Sequence, residues 1–261
     1  MTDSFIGKVV LVTGATSGIG RITAEKLAEK GAIVLVHGRS NEKVDSAIEE
    51  IAKKVEDANL HGLVANLESF EEITSLVKQV SEKFDRIDVL INNAGLGPNR
   101  EAIFEVNYYA TVLLCELLLP LIKKSKGRII NISSEAQSQF EVDSFGGSSG
   151  MEAYAQSKLA VVLYSFHLAR RLKDDHVNDF ALDPGSLLNT NMVRETFGPS
   201  QRSPEIGANA HIKLAGSEEV ENLTGEFFTE MNKSKANPFA YDSDAQEKLW
   251  NKTRERLAKY L

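Results

Sequence analysis

A single cysteine, Cys115, occurs in 261 residues, so no intrachain disulfide can form and the chain fits a reducing compartment. Its place in an apolar helical run points to a buried, inert thiol. Positive charge is also in short supply. Thirty Lys and Arg against 37 Asp and Glu leave a net charge of −7, which argues against nucleic acid as a partner. Long apolar runs are missing: the most apolar stretch, residues 112–122, is too short to span a bilayer and contains Glu116 and Pro120. Residues 1–8 lack a basic region followed by an apolar one, so they do not read as a signal peptide, and they lead directly into a strand. No His pair, acidic cluster or Cys/His set has metal-ligand spacing, and the five histidines read as ordinary surface or core residues. There is no internal repeat, linker or low-complexity tract. These absences leave the expectation of one domain over residues 1–261, cytoplasmic, with no membrane anchor.

What is present is a regular alternation. A β-branched run at residues 8–13 ends at Gly14, and helical spacing over residues 21–30 stops at Gly31. Strand patterns recur at residues 32–37, 60–65, 87–92, 128–133, 177–182 and, shorter, 225–229. Helical patterns occupy residues 41–57, 69–84, 101–121, 154–173 and 242–261, with Ser69 as an N-cap and Glu72 in capping-box position. Continuously apolar strands separated by helices indicate a parallel sheet covered on both faces, with right-handed crossovers. The expected fold is therefore α/β: a Rossmann-type doubly wound sheet of about seven mostly parallel strands, with helices on both faces.

Several residues fall where such a sheet binds ligands, at the carboxyl ends of its strands. Gly14, Thr16, Ser17, Gly18, Ile19 and Gly20 form the turn between the first strand and the first helix, where glycines let backbone N–H groups approach a pyrophosphate. The acidic residue that usually ends the second strand of an NAD site is missing. In its place stands His37-Gly38-Arg39, and the Arg39 guanidinium suits a 2′-phosphate, so NADP(H) is expected in preference to NAD(H). Asn93, Ala94 and Gly95 end the fourth strand with small side chains against which a nucleotide can lie. Ser134 follows the fifth strand and either caps the next turn or donates a hydrogen bond to a carbonyl oxygen. Asn107, taken alone, begins or interrupts a helix and caps or bonds backbone. Tyr154 and Lys158 are four residues apart on a helix, so phenol and ammonium share a face, and a nearby cation lowers a phenol's pKa.

Jointly, the turn from Thr13 to Gly20, Asn92-Asn93-Ala94-Gly95, Asn107, Ser134, Tyr154 with Lys158, and Pro184-Gly185 resemble the short-chain dehydrogenase/reductase family over nearly the whole chain. The wording from Tyr154 to Ala160, the loop at residues 135–150 and Leu223-Thr224-Gly225-Glu226-Phe227-Phe228 look most like its retinol dehydrogenase-like branch. The resemblance implies Tyr154 as general acid/base, with Lys158 lowering its pKa and contacting the nicotinamide ribose. It implies Ser134 orienting the substrate oxygen and Asn107 supporting a water-linked proton relay. It places Pro184, Gly185 and Thr190 near the nicotinamide, and Asn66 where an aspartate usually meets the adenine. Only 11 residues separate Gly95 from Asn107, fewer than is usual in that branch, which shortens one wall of the cleft. The implied substrate is a small-molecule carbonyl or alcohol of apolar character. The helices at residues 101–121 and 154–173 resemble those that pair family members into homodimers or homotetramers. Two alternatives stay open on the residues: a non-catalytic NADP(H) sensor or scaffold, and a reductase of activated C=C bonds. The paired tyrosine and lysine favour catalysis on carbonyl or alcohol.

Overall fold

The computed structural model describes residues 5–261, so the reading of the first four residues as lead-in to a strand lies outside the described residues. Strands β1 (Val9–Val12), β2 (Ile33–Gly38), β3 (Asn59–Val64), β4 (Val89–Asn92), β5 (Arg128–Ile132), β6 (Asn178–Asp183) and β7 (Glu226–Thr229) lie parallel in the order β3-β2-β1-β4-β5-β6-β7. An eighth strand, β8 (Asn232–Ser234), returns antiparallel along β7. Sequence analysis misses it because Asn-Lys-Ser carries no apolar pattern and its pairing is a three-residue edge contact.

Side chains alternate across each strand and build two cores. Val10 and Val12 pack with α1 (Gly18–Glu29), α2 (Asn41–Ala52) and α7 (Glu205–Gly216) on one face. Val9 and Leu11 pack with α3 (Phe70–Lys83), α4 (Ala110–Ser125) and α5 (Gly150–Arg171) on the other. The α7 helix has no counterpart in the sequence reading. Small residues replace an amphipathic stripe in it, because Gly207 lies against Ile19 and Leu188, where a Cβ would stand 3.1 Å from both side chains. The short α6 (Asn191–Phe197) was likewise not expected. The capping box at α3 is also incomplete: Ser69 Oγ accepts from the Glu72 backbone N–H, but Glu72 reaches past Ser69 to accept from Asn66 N–H at 2.7 Å.

Two features of the helical layer bear on the site. A π turn, Glu105–Tyr109, precedes α4, so the continuous helix Glu105–Ser125 is longer than the apolar run in the sequence suggests. By length and composition it would cross a membrane, yet its apolar residues are buried in the core of this fold. Second, α8 (Ser243–Leu257) lies along α5, with Leu249, Trp250 and Leu257 buried and the Arg171 guanidinium 4.5 Å from the Trp250 ring. Residues 155–169 of α5 are all buried within one chain. Helix α5, one of the two that the sequence analysis expects to pair with a second copy, thus packs against α8 of its own chain.

Candidate active site

All the parallel strands point their carboxyl ends one way, which brings Thr13, Gly38, Asn92, Ser133 and Asp183 to one edge of the sheet. Helix α5 starts beside that edge and delivers Tyr154 and Lys158 on one face. The Lys158 ammonium is buried and donates to the Ile132 carbonyl at 2.9 Å, while the Lys158 carbonyl accepts from Ser133 Oγ at 2.7 Å. Lys158 Nζ lies 5.7 Å from the Tyr154 ring centroid. Burial pushes the ammonium down to about 8, partly offset by the Asp183 carboxylate. The Tyr154 phenol stands above its ordinary value because burial outweighs the hydrogen bond from Ser134, with Asp183 pushing the same way as burial. Here the sequence expectation is corrected. Lys158 does not pull Tyr154 below its usual range, since burial leads and the ammonium stands over the ring, 5.7 Å from its centroid.

Asn107 sits in the middle of the π turn and is buried. Its Oδ1 accepts from Leu96 N–H at 2.7 Å, and its Nδ2 donates to the Leu96 carbonyl at 3.1 Å and to Ser157 Oγ at 3.2 Å. The side chain is thus occupied as a clamp between the loop after β4 and helix α5. A Cβ on Gly95 would lie 3.4 Å from Asn107 Oδ1 and 3.5 Å from Lys158 Nζ, so the structure brings Gly95, Asn107 and Lys158 together. Ser134 lies against Tyr154, and its Oγ also accepts from Ala136 N–H at 3.1 Å.

The glycine turn is built to exclude side chains. Gly14 has φ +64° and Gly18 φ +55°, and a Cβ on Gly20 would fall 2.4 Å from both Asn93 Nδ2 and the Gly14 carbonyl. Asn93 Nδ2 donates to the Thr13 carbonyl at 2.8 Å, and Ala94 N–H donates to Thr13 Oγ1 at 2.9 Å. This stitches β4 to the turn. Ser17 precedes α1 without capping it by its hydroxyl, and Ile19 is taken up in packing against Gly207. Gly38 admits Thr16, whose Cγ2 would stand 2.4 Å from a Cβ there. Arg39 follows, exposed, with no ion-pair partner among the described residues. Asn66 is half-buried, with its Oδ1 taken by Glu68 N–H at 3.2 Å. Thr190 caps α6 by accepting from Val193 N–H at 3.3 Å and lies against Gly18 rather than in the Tyr154 group's hydrogen-bonding set. Gly185 has φ +114° and follows Pro184 beside Glu230.

Two residues of the site escape the sequence reading. His37 is buried at the end of β2; its Nδ1 accepts from Gly14 N–H at 3.2 Å and its Nε2 faces the Ala65 carbonyl at 3.1 Å. Burial lowers it to about 4, so it is a neutral ring that ties the glycine turn to the segment just after β3. Asp183 is buried next to Ser133, and its Oδ1 accepts from Gly185 N–H at 3.2 Å. Burial raises its carboxyl above the ordinary range. The available signal for both was position: each is a titratable residue closing an apolar strand at the ligand edge.

Comparison with known proteins points to one family. The family model described as short chain dehydrogenase matches residues 8–200. Retinol dehydrogenase 13 of Mus musculus is 33% identical, covering 95% of this chain and 83% of that protein. Polyprenol dehydrogenase of Homo sapiens is 31% identical, covering 95% and 84%. Among solved structures, the Pseudomonas aeruginosa RhlG/NADP complex is 27% identical with a TM-score of 0.75, covering 87% of this chain and 95% of that one. A short chain dehydrogenase from Escherichia coli CFT073 complexed with NADPH is 26% identical with a TM-score of 0.75, covering 88% and 99%.

Proposed function

This chain belongs to the short chain dehydrogenase family, and from that premise we propose that it moves hydride between NADP(H) and an apolar carbonyl or alcohol, with Tyr154 as proton donor and acceptor. Family and relatives make it an oxidoreductase acting on CH–OH or C=O groups. The observation that carries the finer reading is the Tyr154 phenol beside the Ser134 hydroxyl at the ligand edge, with Lys158 anchored on Ile132 behind them.

The residues present fit a dinucleotide. Gly14 and Gly20 close the turn so tightly against Ala94, Asn93 and the Gly14 carbonyl that no side chain fits at either position, which leaves bare backbone at the ligand edge, and Arg39 offers a guanidinium next to Gly38. Gly14, Gly18, Asn93 and Ala94 would hold the phosphates and nucleoside, and Arg39 a 2′-phosphate. Lys158, Pro184 and Gly185 would line the nicotinamide end, and Thr190, against Gly18, would meet the cofactor nearer its phosphates. When bound, the nicotinamide supplies or accepts the hydride. Ser134 hydrogen-bonds the substrate oxygen and fixes its distance from the phenol. Tyr154, held protonated near neutral pH by its burial, gives that oxygen a proton as the alcohol forms, or takes one in the reverse direction. Lys158 keeps a positive charge behind the phenol, and Asn107 keeps Leu96 and Ser157 in register with it. NADP- and NADPH-bound neighbours support the cofactor choice, and relatives named for retinol and polyprenol, both apolar alcohols, support the substrate class.

The test is NADPH oxidation against a panel of apolar aldehydes, ketones, quinones and activated alkenes. Turnover on aldehydes or ketones that is lost in Tyr154→Phe is the expected result. Tight NADPH binding with no turnover across the panel would sink the catalytic reading and leave a sensor.

A further inference from the structure

We propose that Thr253, on the last long helix, is a positioning residue for the active site, acting through a buried hydrogen bond on the π turn that carries Asn107. The proposal rests on the reading of Asn107 as a site residue. Thr253 Oγ1 donates to the Leu249 carbonyl at 2.8 Å, which leaves it an acceptor toward the Tyr108 hydroxyl, also at 2.8 Å. Tyr108 is 0% exposed and Thr253 1% exposed. Burial drives the Tyr108 phenol upward, so it stays a donor at every working pH. Its chain neighbour is Asn107.

A π turn needs outside support, because one widened turn within an α-helix sacrifices regular packing and is retained mainly at functional positions. The support comes from α8. Besides the Thr253 contact, Arg256 pairs with Glu105 at 3.0 Å and lies 4.7 Å over the Tyr109 ring, and Phe145 packs edge-on against Tyr108 at 5.1 Å. Lys248 and Lys252 both pair with Asp143, in the segment leading to Tyr154. These ion pairs are exposed, and such pairs contribute little. The Tyr108 hydroxyl is different. Removing its acceptor strands a buried donor, which a turn already away from α geometry relieves most easily by moving. Any such movement shifts Asn107 relative to Leu96 and Ser157.

The experiment compares the parent with Thr253→Val, Thr253→Ser and the double variant Tyr108→Phe/Thr253→Val, by amide hydrogen exchange and by steady-state kinetics with NADPH. Thr253→Val keeps the branched shape and should accelerate exchange in residues 95–97 and 105–111 by roughly five- to a hundredfold, the range set by stranding one buried hydroxyl. Exchange in residues 13–20 and the KM for NADPH should not change, while kcat falls. Thr253→Ser should restore both, and so should the double variant, which leaves no hydroxyl stranded. Unchanged exchange in residues 105–111, acceleration spread evenly over the chain, or a double variant no better than Thr253→Val would each overturn the proposal. If Thr253→Val does not fold, a double variant that folds with parental exchange upholds it, and one that also fails overturns it. A parent without turnover on any carbonyl would remove the functional reading instead, and the exchange comparison would still decide this one.

Discussion

At the proton-transfer end of the cleft, Lys158 and Asn107 are buried, and each is tied to main-chain atoms, the Ile132 carbonyl in one case and both polar atoms of Leu96 in the other. At the end proposed for the phosphates Arg39, the cation assigned to the 2′-phosphate, stands exposed, and the turn beside it keeps its shape through glycines, Asn93 and the neutral ring of His37. The difference follows from what each end must do. Proton transfer needs atoms fixed within a few tenths of an ångström, which buried side-chain to backbone bonds supply. Phosphate binding needs a concave backbone and a cation that still reaches water, because a buried unpaired guanidinium would be costly.

The comparison breaks most visibly at Tyr154. Tyr154→Phe should lower turnover by about 10²–10⁴, the usual worth of general acid/base assistance, and leave the NADPH dissociation constant within about twofold. Single-turnover kinetics beside a fluorescence titration checks both halves; a matching loss of cofactor affinity would mean that the two ends are not separable.

His37 tests a buried titratable side chain at the phosphate end. Its folded value of about 4 lies below the ordinary 6.5, so between those pH values the unfolded chain binds the extra proton. Stability attributable to His37 is therefore fully present above pH 6.5 and declines as pH falls toward 4, by up to about 3 kcal/mol. Urea unfolding from pH 7 to 4 should show a shallower decline in His37→Gln than in the parent. Parallel slopes would contradict a neutral, buried ring at this place.

Arg39→Ala sharpens the contrast in charge. Hydrogen bonds to charged groups contribute about 1.5–3 kcal/mol, so NADP(H) affinity should fall roughly ten- to over a hundredfold while NAD(H) affinity holds. Isothermal titration with both cofactors decides it, and equal losses would show that Arg39 does not read the 2′-phosphate.

The smallest effect is electrostatic. Asp183→Asn removes a negative charge that holds the Tyr154 phenol up, so the phenol's pKa should move down. The basic limb of the kcat/KM profile, and the 13Cζ signal of Tyr154 assigned with Tyr154→Phe, should both shift to lower pH. An upward shift in either would reverse the assigned sign.

Much of this was legible before any coordinates. The parallel strands, the glycine turn and the Tyr154/Lys158 pair follow from periods of two and 3.6 and from residue spacings within one element. From the sequence Asn107 begins or interrupts a helix but does not read as a π turn, because the contacts around that turn include Tyr108 meeting Thr253, 145 residues away. Arg39 is visible by the acid it replaces, whereas His37 reads as ordinary, since its partners Gly14 and Ala65 lie in the segments that follow other strands.

By itself the sequence determined the element order, the covered parallel sheet, the ligand edge and the residue types gathered there, because apolar periodicity and turn chemistry act over a few residues at a time. Only the tertiary structure decided that burial lifts the Tyr154 phenol despite a lysine one turn away, that Asp183 joins the pair, and that α8 covers α5 and reaches the π turn. Those outcomes depend on desolvation and on contacts between distant segments, and neither leaves a local period in the chain.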